Sequence, residues 1–306
     1  MSRQKIDYVI KYLIILSALL AFDVVAYAQI NFSDTRPGSV LFYNRYTSNP
    51  NNPQQGDTQI NLTNVNPTES ASIHLYFVDT RDCTVADYGV SLTPSQTLSF
   101  SMSDFDPGVQ GYLVAVANDG AIPTQFNSLI GSAFIRENDG RQAILPALSF
   151  PKLSPGSIEA NDDGTFTLKF NGTDYDRLPS ALAITSFNSE ITDSNTLTIY
   201  SPSNNLITGS LVTTSVFTLL FDDAERSLSG SFTFRCYKND TLTTIFNRGG
   251  GISKHVSAGK SGWIKLSSSR PLLGSIISKG PIFGGGYNLP ALATVPSYEI
   301  TVPAGF

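Results

Sequence analysis

The sequence predicts an all-β protein made of two tandem β-sandwiches that follow an N-terminal signal peptide. Three observations lead to this fold class. Short segments alternate apolar and polar residues, turn-forming sequences separate them, and several short motifs recur in the same order in both halves of the chain. Period-two alternation is typical of strands with one buried face. Many short strands with turns between them indicate a sandwich or a barrel.

The first residues, 1–28, have the layout of a secretory signal peptide. Three basic residues among the first eleven precede or enter the apolar run Tyr12–Ala21, and Ala26-Tyr27-Ala28 has the small-x-small pattern of a cleavage site. The apolar run is too short to cross roughly 30 Å of hydrocarbon. We therefore expect cleavage after Ala28, export to the periplasm, the cell surface or the extracellular space, and no membrane span in the mature chain.

The composition favours a folded protein that does not bind nucleic acid, and the expected partner is a protein or glycan surface of unknown identity. Hydrophobic residues make up 41% of the chain, charged residues make up 15%, and the formal net charge is −5. A disordered chain has few hydrophobic residues and many charges, and a nucleic-acid-binding protein presents a basic face. Disorder and nucleic-acid binding are therefore both disfavoured.

Strand-like alternation is clearest in three segments, Ser72–Val78, Thr165–Phe170 and Gly230–Arg235. In the first of them the apolar residues fall on one face, and His74 and Tyr76 fall on the other, which we expect to be the polar face. Asn-Asp-Gly and Asp-Gly sequences lie between such segments and supply the positive φ that tight hairpins need. No long segment after residue 28 has helical periodicity.

The four residues Leu-Pro-Ala-Leu occur twice, and other motifs recur ahead of them in the same order. The matched pairs are Leu145–Leu148 with Leu289–Leu292, Gly111–Val116 with Gly262–Leu266, Leu129–Ser132 with Leu272–Ser275, Leu62, Leu75 and Phe77 with Leu219, Phe232 and Phe234, and Val40–Tyr43 with Leu197–Tyr200. A fixed order at nearly constant spacing predicts a duplicated sandwich; the alternative is one large sandwich with convergent strand patterns. We expect Leu-Pro-Ala-Leu to end the last strand of each sandwich, where the missing donor of proline is tolerated.

The two prolines of Phe150–Ser157 break the strand pattern and indicate a linker. The predicted division is a first sandwich over 36–150, a linker over 151–159 and a second sandwich over 160–306. Residues shared by both copies are expected to hold the fold, so a local function is expected in the segments that the copies do not share. These are residues 118–127, 160–195 and 247–251.

Two cysteines, Cys83 and Cys236, lie one in each predicted sandwich. Outside the cytoplasm two cysteines often pair, and a bridge here closes a loop of roughly 150 residues, which contributes about 4–5 kcal/mol in the chain-entropy model. The alternative is two separate thiols. A thiol nucleophile is disfavoured because neither cysteine has a histidine near it in sequence.

Acidic loops provide the candidate residues for a metal site. Asp104, Asp106, Asp162 and Asp163 supply carboxylate oxygens, and Ca²⁺ takes six to eight oxygen ligands. Aspartates are also common in hairpin turns for conformational reasons. The sequence therefore leaves two roles open for these four residues, calcium ligand or turn former, and no other cofactor is predicted.

No catalytic residue is predicted. The Gly-Lys-Ser sequence ahead of Trp263 lacks both the earlier glycine and the following helix of a phosphate-binding loop. His74 and His255 are the only histidines and stand far apart in sequence, and no Gly-x-Ser-x-Gly elbow is present. Trp263 aligns with Tyr112, so a core position is favoured for it over a sugar-stacking role.

One stretch resembles a known class of module. Gln59–Asn66, Ile73–Phe77 and Leu92–Thr97 combine a strand, an Asn-rich turn, an aromatic strand and the phrase Leu-x-Pro-x-Gln-Thr. This combination resembles the immunoglobulin-like modules of secreted bacterial proteins. The resemblance implies tandem immunoglobulin-like β-sandwich domains and export, and it implies no activity. The Cys…Trp…Cys arrangement of antibody domains is absent, so the exact strand topology is not implied.

These observations favour a secreted or cell-surface, non-enzymatic protein with a binding, adhesion or structural role. Two alternatives stay open. One is a secreted carbohydrate-active hydrolase, which requires a cleft that holds two carboxylates. The other is a Ca²⁺-dependent adhesin that uses the acidic loops.

Overall fold

The computed structural model describes residues 32–188, 195–246, 252–257, 259–279 and 284–304. Asn31–Phe306 form one compact unit. The predicted signal peptide over 1–28 and the glycine-rich segment 247–251 lie outside the described residues. None of the helices in the described ranges is long and apolar enough to cross a membrane.

The described part of the chain is all-β, as predicted. The first half contains β1 (Val40–Thr47), β2 (Thr58–Asn64), β3 (Ala71–Asp79), β4 (Val85–Leu92), β5 (Thr97–Ser101), the short helix α1 (Met102–Phe105), β6 (Gln110–Asp119), β7 (Ile122–Pro123), β8 (Leu129–Arg136), β9 (Gln142–Pro146) and β10 (Leu148–Phe150).

The second half repeats this order of elements without a counterpart of β7, and it adds a strand at each end and a 3₁₀ turn. Its elements are β11 (Phe166–Lys169), β12 (Pro179–Asn188), β13 (Asn195–Tyr200), β14 (Thr213–Asp222), β15 (Ser227–Arg235), β16 (Tyr237–Thr241), the short helix α2 (Leu242–Ile245), a 3₁₀ turn (Ile252–Lys254), β17 (Ser261–Ser267), β18 (Leu273–Lys279), β19 (Gly284–Asn288), β20 (Ala291–Thr294) and β21 (Glu299–Val302).

Each half folds into two antiparallel sheets whose strands follow the same order. In the first half the orders are β10-β1-β6-β3-β4, with β7 on the side of β6, and β5-β2-β8-β9. In the second half they are β20-β12-β17-β14-β15 and β16-β13-β18-β19, and β11 pairs separately with β21. Each described strand of the first half except β7 therefore has a counterpart in the second half. β7 lies within the predicted insertion 118–127.

The two sheets of each half pack face to face around an apolar core, because every second residue of their strands points inward. Leu41, Ile60, Leu75 and Leu113 are among the buried residues of the first core. Leu182, Ile199, Val216, Ile264 and Ile276 are among those of the second. We call these two units the first and the second sandwich. Their immunoglobulin-like character and the predicted domain limits stay predictions.

The structure corrects the predicted position of Leu-Pro-Ala-Leu. The motif does not end the last strand but carries the chain from one sheet to the other, from β9 to β10 in the first sandwich and from β19 to β20 in the second. Proline suits this corner because it has no backbone donor to leave unpaired. The two copies of the motif differ by two residues in their register against the neighbouring strand. Ala147 N donates to Gly131 O at 2.8 Å, whereas Leu289 N donates to Gly274 O at 2.9 Å.

The predicted repeat alignment is right for the later strands and wrong by one strand for the earlier ones. β6 and β17, and β8 and β18, are counterparts as predicted. Val40–Tyr43 of β1, however, corresponds to β12 and not to Leu197–Tyr200, so residues 160–195 do contain a counterpart. Similarly, Leu75 and Phe77 of β3 correspond to β14 and not to β15. The error arises because neighbouring antiparallel strands share the same alternation, so composition does not distinguish them.

A third apolar core lies between the first sandwich and the second half of the chain. The outer faces of β1, β3 and β6 pack there against β11, β21 and the ends of second-sandwich strands. Tyr112 stacks on Tyr200 with ring centroids 4.1 Å apart, and Phe42 contacts Phe170 at 6.1 Å. The sheet that contains β1, β3 and β6 is therefore buried on both faces. The predicted polar face of β3 is wrong, since His74 and Tyr76 are both buried in this layer.

A disulfide and a buried polar network join the two halves across this core. The structure joins Cys83 and Cys236 in a disulfide with Cα atoms 5.7 Å apart. Asn44 Nδ2 donates to Gly274 O at 3.0 Å and to Asn288 Oδ1 at 2.8 Å, and Tyr200 Oη donates to Asn44 Oδ1 at 2.9 Å. The irregular part of β1, between Tyr43 and Tyr46, thus supplies part of the polar contacts between the halves.

Candidate binding pocket

A pocket of about 340 Å³ opens in the second sandwich between the β14–β15 pair and helix α2. Its lining is mainly apolar. The lining residues are Thr218, Leu220, Leu228, Ser229, Gly230, Ser231, Phe232, Ile245, Phe246 and Ile252. Pockets that bind small molecules have this character, an apolar wall with few polar groups.

The strand pairing explains which side chains face the pocket. Thr218 pairs with Gly230, and Leu220 pairs with Leu228. These positions lie on the inward face of β14 and β15, which continues into the second core. Because Gly230 has no side chain, the strand leaves a gap at the centre of this face.

Thr218 places one polar group in the apolar wall. Thr218 is only 2% exposed, and it belongs to the lining of the pocket. The ideal Cβ position of Gly230 lies 3.1 Å from Thr218 Oγ1, so the hydroxyl stands next to the gap. A polar ligand group in the gap is within reach of this hydroxyl, whereas an apolar group there would leave the hydroxyl unpaired, which is unfavourable.

Helix α2 closes the opposite side of the pocket. Thr241 precedes the helix, and its Oγ1 accepts a hydrogen bond from Thr244 N at 3.2 Å, which is a common N-cap arrangement. The helix buries Leu242 and turns Ile245 and Phe246 toward β15. Phe246 contacts Phe232 edge-to-face at 6.3 Å. Phe246 and Ile252 are the described residues on either side of the predicted functional segment 247–251.

The first two metal candidates lie on helix α1 and directly after it. Asp104 lies within the helix, and Asp106 Oδ2 accepts a hydrogen bond from Tyr46 Oη at 2.5 Å. Burial raises the pKa of Asp106, and the hydrogen bond from Tyr46 opposes part of that rise. Asp106 therefore fastens the helix to β1 in this structure.

The other two metal candidates lie in the turn before β11. Asp163 Oδ1 accepts hydrogen bonds from Thr165 N at 3.0 Å and from Thr165 Oγ1 at 2.6 Å, which is the geometry of a turn former. These hydrogen bonds hold the pKa of Asp163 below its usual range. Asp162 is exposed. In the described ranges, no three His, Cys, Asp or Glu residues are grouped so as to hold a metal ion.

The two histidines occupy different environments. His74 is buried, and its Nε2 lies 2.7 Å from Asp87 Oδ2 while its Nδ1 lies 3.0 Å from Tyr76 Oη. His255 follows the 3₁₀ turn and is partly buried. His74 thus bridges two polar side chains of neighbouring strands.

The expectation that Trp263 is a core residue is wrong. Trp263 is 36% exposed and stacks on Phe221 with centroids 4.7 Å apart. Phe217, four residues before Phe221 on the same face of β14, is 48% exposed. Tyr112, at the position of the first sandwich equivalent to Trp263, is fully buried in the core between the halves. The difference arises because this outer face of the β14–β17 sheet is left uncovered, while the matching face of β6 is covered.

The pocket residues lie in strands that both copies share, where a local function was not expected. One sequence signal for them exists. Gly230 occupies an inward position in the alternating segment Gly230–Arg235, and a glycine at such a position marks a gap in the packing or a close approach. The hydroxyl of Thr218 gives no separate signal, because threonine is common in strands.

No protein-family model matches the chain, and no curated protein sequence matches it. Among solved structures, the chain is similar to protein 1070 of Thermotoga maritima, with 13% identity and a TM-score of 0.29 over 40% of this chain and 98% of the other. It is also similar to a "putative secreted protein" from Parabacteroides distasonis, with 10% identity and a TM-score of 0.18 over 93% of this chain and 96% of the other. TM-scores this low carry no conclusion about fold or function.

Proposed function

We propose that the protein is an exported, non-enzymatic binding protein and that the pocket of the second sandwich is its ligand site. The observation that carries the proposal is the pocket itself, an apolar opening of about 340 Å³ that reaches the core-facing side of β14 and β15. Export is supported by the predicted signal peptide and by the Cys83–Cys236 disulfide, since such bridges persist in oxidising compartments.

The surroundings of the pocket favour binding without large rearrangement. Cys236 lies between β15 and β16, so the disulfide fastens the strand that leads into α2 to the first half of the chain. Leu242 anchors the start of α2 in the second core. A site held in place before the ligand arrives loses less conformational entropy on binding.

The test is a binding measurement with a pocket-filling variant. Calorimetry with a panel of small apolar compounds is expected to detect binding to the wild type. Gly230→Leu fills the centre of the pocket and is expected to weaken that binding at least tenfold. Thr233→Leu is the matched control, because Thr233 is exposed on the same strand and does not line the pocket. Equal binding by the wild type and Gly230→Leu contradicts the proposal.

A second candidate function is glycan binding on the exposed aromatic face formed by Phe217, Phe221 and Trp263. Aromatic rings at a surface offer apolar faces for the CH groups of sugars. Trp263 is the single tryptophan of the chain, so its fluorescence reports directly on this face. Titration with oligosaccharides is expected to change that fluorescence saturably and to have no effect on a Trp263→Ala variant monitored by calorimetry. Unchanged fluorescence with every glycan contradicts this candidate.

A further inference from the structure

We infer that the pocket binds a phenolic ring, an aromatic ring that carries a hydroxyl group. This inference rests on the proposed function and names the class of ligand for the same site. It comes from a position-by-position comparison of the two sandwiches, which have the same strand order. They differ in the side chains beside the β3–β4 pair and beside its counterpart, the β14–β15 pair.

The strand registers fix which residues are equivalent. Gly111 pairs with Asp79 in the first sandwich, and Gly262 pairs with Asp222 in the second. A Cβ atom on either glycine would overlap the carbonyl oxygen of the residue before that aspartate, so both glycines are required at the same point of the fold. Counting back along β3 and β14 from these aspartates sets Leu75 equivalent to Thr218.

The partners of those two residues are then equivalent as well. Leu75 pairs with Tyr88 on β4, and Thr218 pairs with Gly230 on β15. In the same register, Phe77 corresponds to Leu220. The second sandwich therefore has glycine where the first has a tyrosine, and a hydroxyl where the first has an isobutyl group.

In the first sandwich four aromatic rings cluster at this place, with the half-exposed Tyr88 at its rim. Phe105, at the end of α1, lies 5.2 Å from Tyr88, 4.4 Å from Phe100 and 6.3 Å from Phe77, measured between ring centroids. The equivalent residues of the second sandwich are Ile245, Gly230, Asp240 and Leu220. None of them is aromatic, and three of them, Ile245, Gly230 and Leu220, line the pocket.

The remaining wall suits an aromatic ligand. Phe232 and Phe246 meet edge-to-face at one side of the pocket, and aromatic rings prefer such edge-to-face and offset contacts. An enclosed apolar cavity of about 150 Å³ holds one benzene ring. The pocket, at about 340 Å³, has room for one substituted ring.

The hydroxyl of Thr218 selects among aromatic ligands. Thr218 lines the pocket, and its Oγ1 lies 3.1 Å from the position that a Cβ atom on Gly230 would occupy, beside the space that a side chain there would fill. A ring with its own hydroxyl satisfies the Thr218 hydroxyl, whereas a plain hydrocarbon ring leaves it unpaired, which is unfavourable in an apolar site. Two sources share this chemistry, a free phenolic compound and a tyrosine side chain of a partner protein.

The experiment compares four probes by calorimetry on the full mature chain. They are p-cresol, toluene, cyclohexylmethanol and the peptide acetyl-Gly-Tyr-Gly-amide. We expect p-cresol to bind at least tenfold more tightly than toluene and cyclohexylmethanol. Tighter binding of the peptide than of p-cresol identifies a tyrosine of a partner as the source, and weaker binding of the peptide identifies a free phenol.

Two variants test the residues that carry the inference. Gly230→Tyr supplies the ring from the chain and is expected to reduce p-cresol affinity at least tenfold without lowering the melting temperature, while Thr233→Tyr leaves binding unchanged. Thr218→Val replaces the hydroxyl with a methyl group. The affinity of this variant for p-cresol is expected to fall to its affinity for toluene. This variant keeps the strand shape, so it remains informative even if Gly230→Tyr does not fold.

The outcomes separate this inference from the proposed function. Equal affinity for p-cresol and toluene overturns the phenolic class. Binding of cyclohexylmethanol without binding of either aromatic compound also overturns it and leaves the pocket as a ligand site for aliphatic groups. No binding of any apolar compound, here or in the wider panel, overturns both.

Discussion

Asp163 illustrates how a single aspartate can serve a turn. It was a candidate calcium ligand by residue type, but its carboxylate accepts both available donors of Thr165 and closes the turn between Asn161 and β11. Asp106 similarly uses its carboxylate on Tyr46. For both residues the local hydrogen bonds explain the aspartate without a metal ion.

The lowered pKa of Asp163 gives a pH-dependent prediction. Because the folded pKa lies below the unfolded value of about 3.9, Asp163 contributes stability above the unfolded pKa and loses that contribution as the pH falls through the folded pKa. Asp163→Ala is therefore expected to lower the melting temperature at pH 7, and its difference from the wild type is expected to shrink below about pH 4.

Asp162→Ala is the control, because Asp162 is the exposed neighbour in the same turn. It is expected to melt like the wild type at both pH values. Thermal melts with Ca²⁺ and with EDTA complete the test. A Ca²⁺-dependent rise in the wild-type melting temperature that both variants abolish would contradict the turn role and favour the calcium interpretation.

At the scale of the elements, the two sandwiches repeat a tight contact at the start of β6 and β17. Gly111 lies against Val78 and the ring of Tyr46, and Gly262 lies against Phe221 and the ring of Phe187. In both sandwiches a bulge in the neighbouring strand brings this ring over the glycine. The contact therefore belongs to the shared fold rather than to either copy.

Replacing Gly111 tests this contact. A methyl group there overlaps the Val78 carbonyl oxygen and the Tyr46 ring, so Gly111→Ala is expected to destabilise the protein by about 1–3 kcal/mol, the range for overpacking. Gly285→Ala is the matched control, since its added Cβ meets nothing within 4 Å. Urea denaturation measures both. Equal stability of the two variants would show that β6 moves away without penalty.

At the scale of the whole molecule, the core between the halves determines which sheet faces are buried and which are exposed to solvent. It covers the outer face of β1, β3 and β6, where Tyr76, Tyr112 and Val114 are buried, and it leaves the matching face around Trp263 exposed. Burial of this many apolar side chains couples the two halves energetically.

This coupling predicts one cooperative unfolding transition for the mature chain. Because the halves share the Tyr112–Tyr200 stack and the Asn44 hydrogen bonds, neither half unfolds without exposing apolar surface of the other. Differential scanning calorimetry is expected to give a single endotherm whose calorimetric and van't Hoff enthalpies agree. Two separated endotherms would contradict the coupling.

The disulfide gives a separate prediction at the same scale. It joins residues 153 positions apart, and a loop of that length contributes about 4–5 kcal/mol in the chain-entropy model. The double variant Cys83→Ala/Cys236→Ala is expected to lose stability of that order in urea denaturation. Reductant is expected to leave the variant unchanged. A variant as stable as the wild type would contradict this estimate.

Local sequence patterns predict the all-β class, many of the turns and the later part of the repeat. These follow from local properties, since alternation and turn residues act over a few positions. The repeat register of the early strands was not determined, because β2, β3 and β4 alternate in the same way as their neighbours. Leu75 and Phe77 were therefore matched to the wrong strand.

The burial of each sheet face, the position of Leu-Pro-Ala-Leu and the location of the pocket follow instead from tertiary packing. His74 is buried and Trp263 is exposed because a second layer covers one sheet and not the other. The correspondence between Gly230 and Tyr88 becomes visible only from the strand registers. Contacts between residues far apart in sequence determine these features, and the period of a single strand contains no information about them.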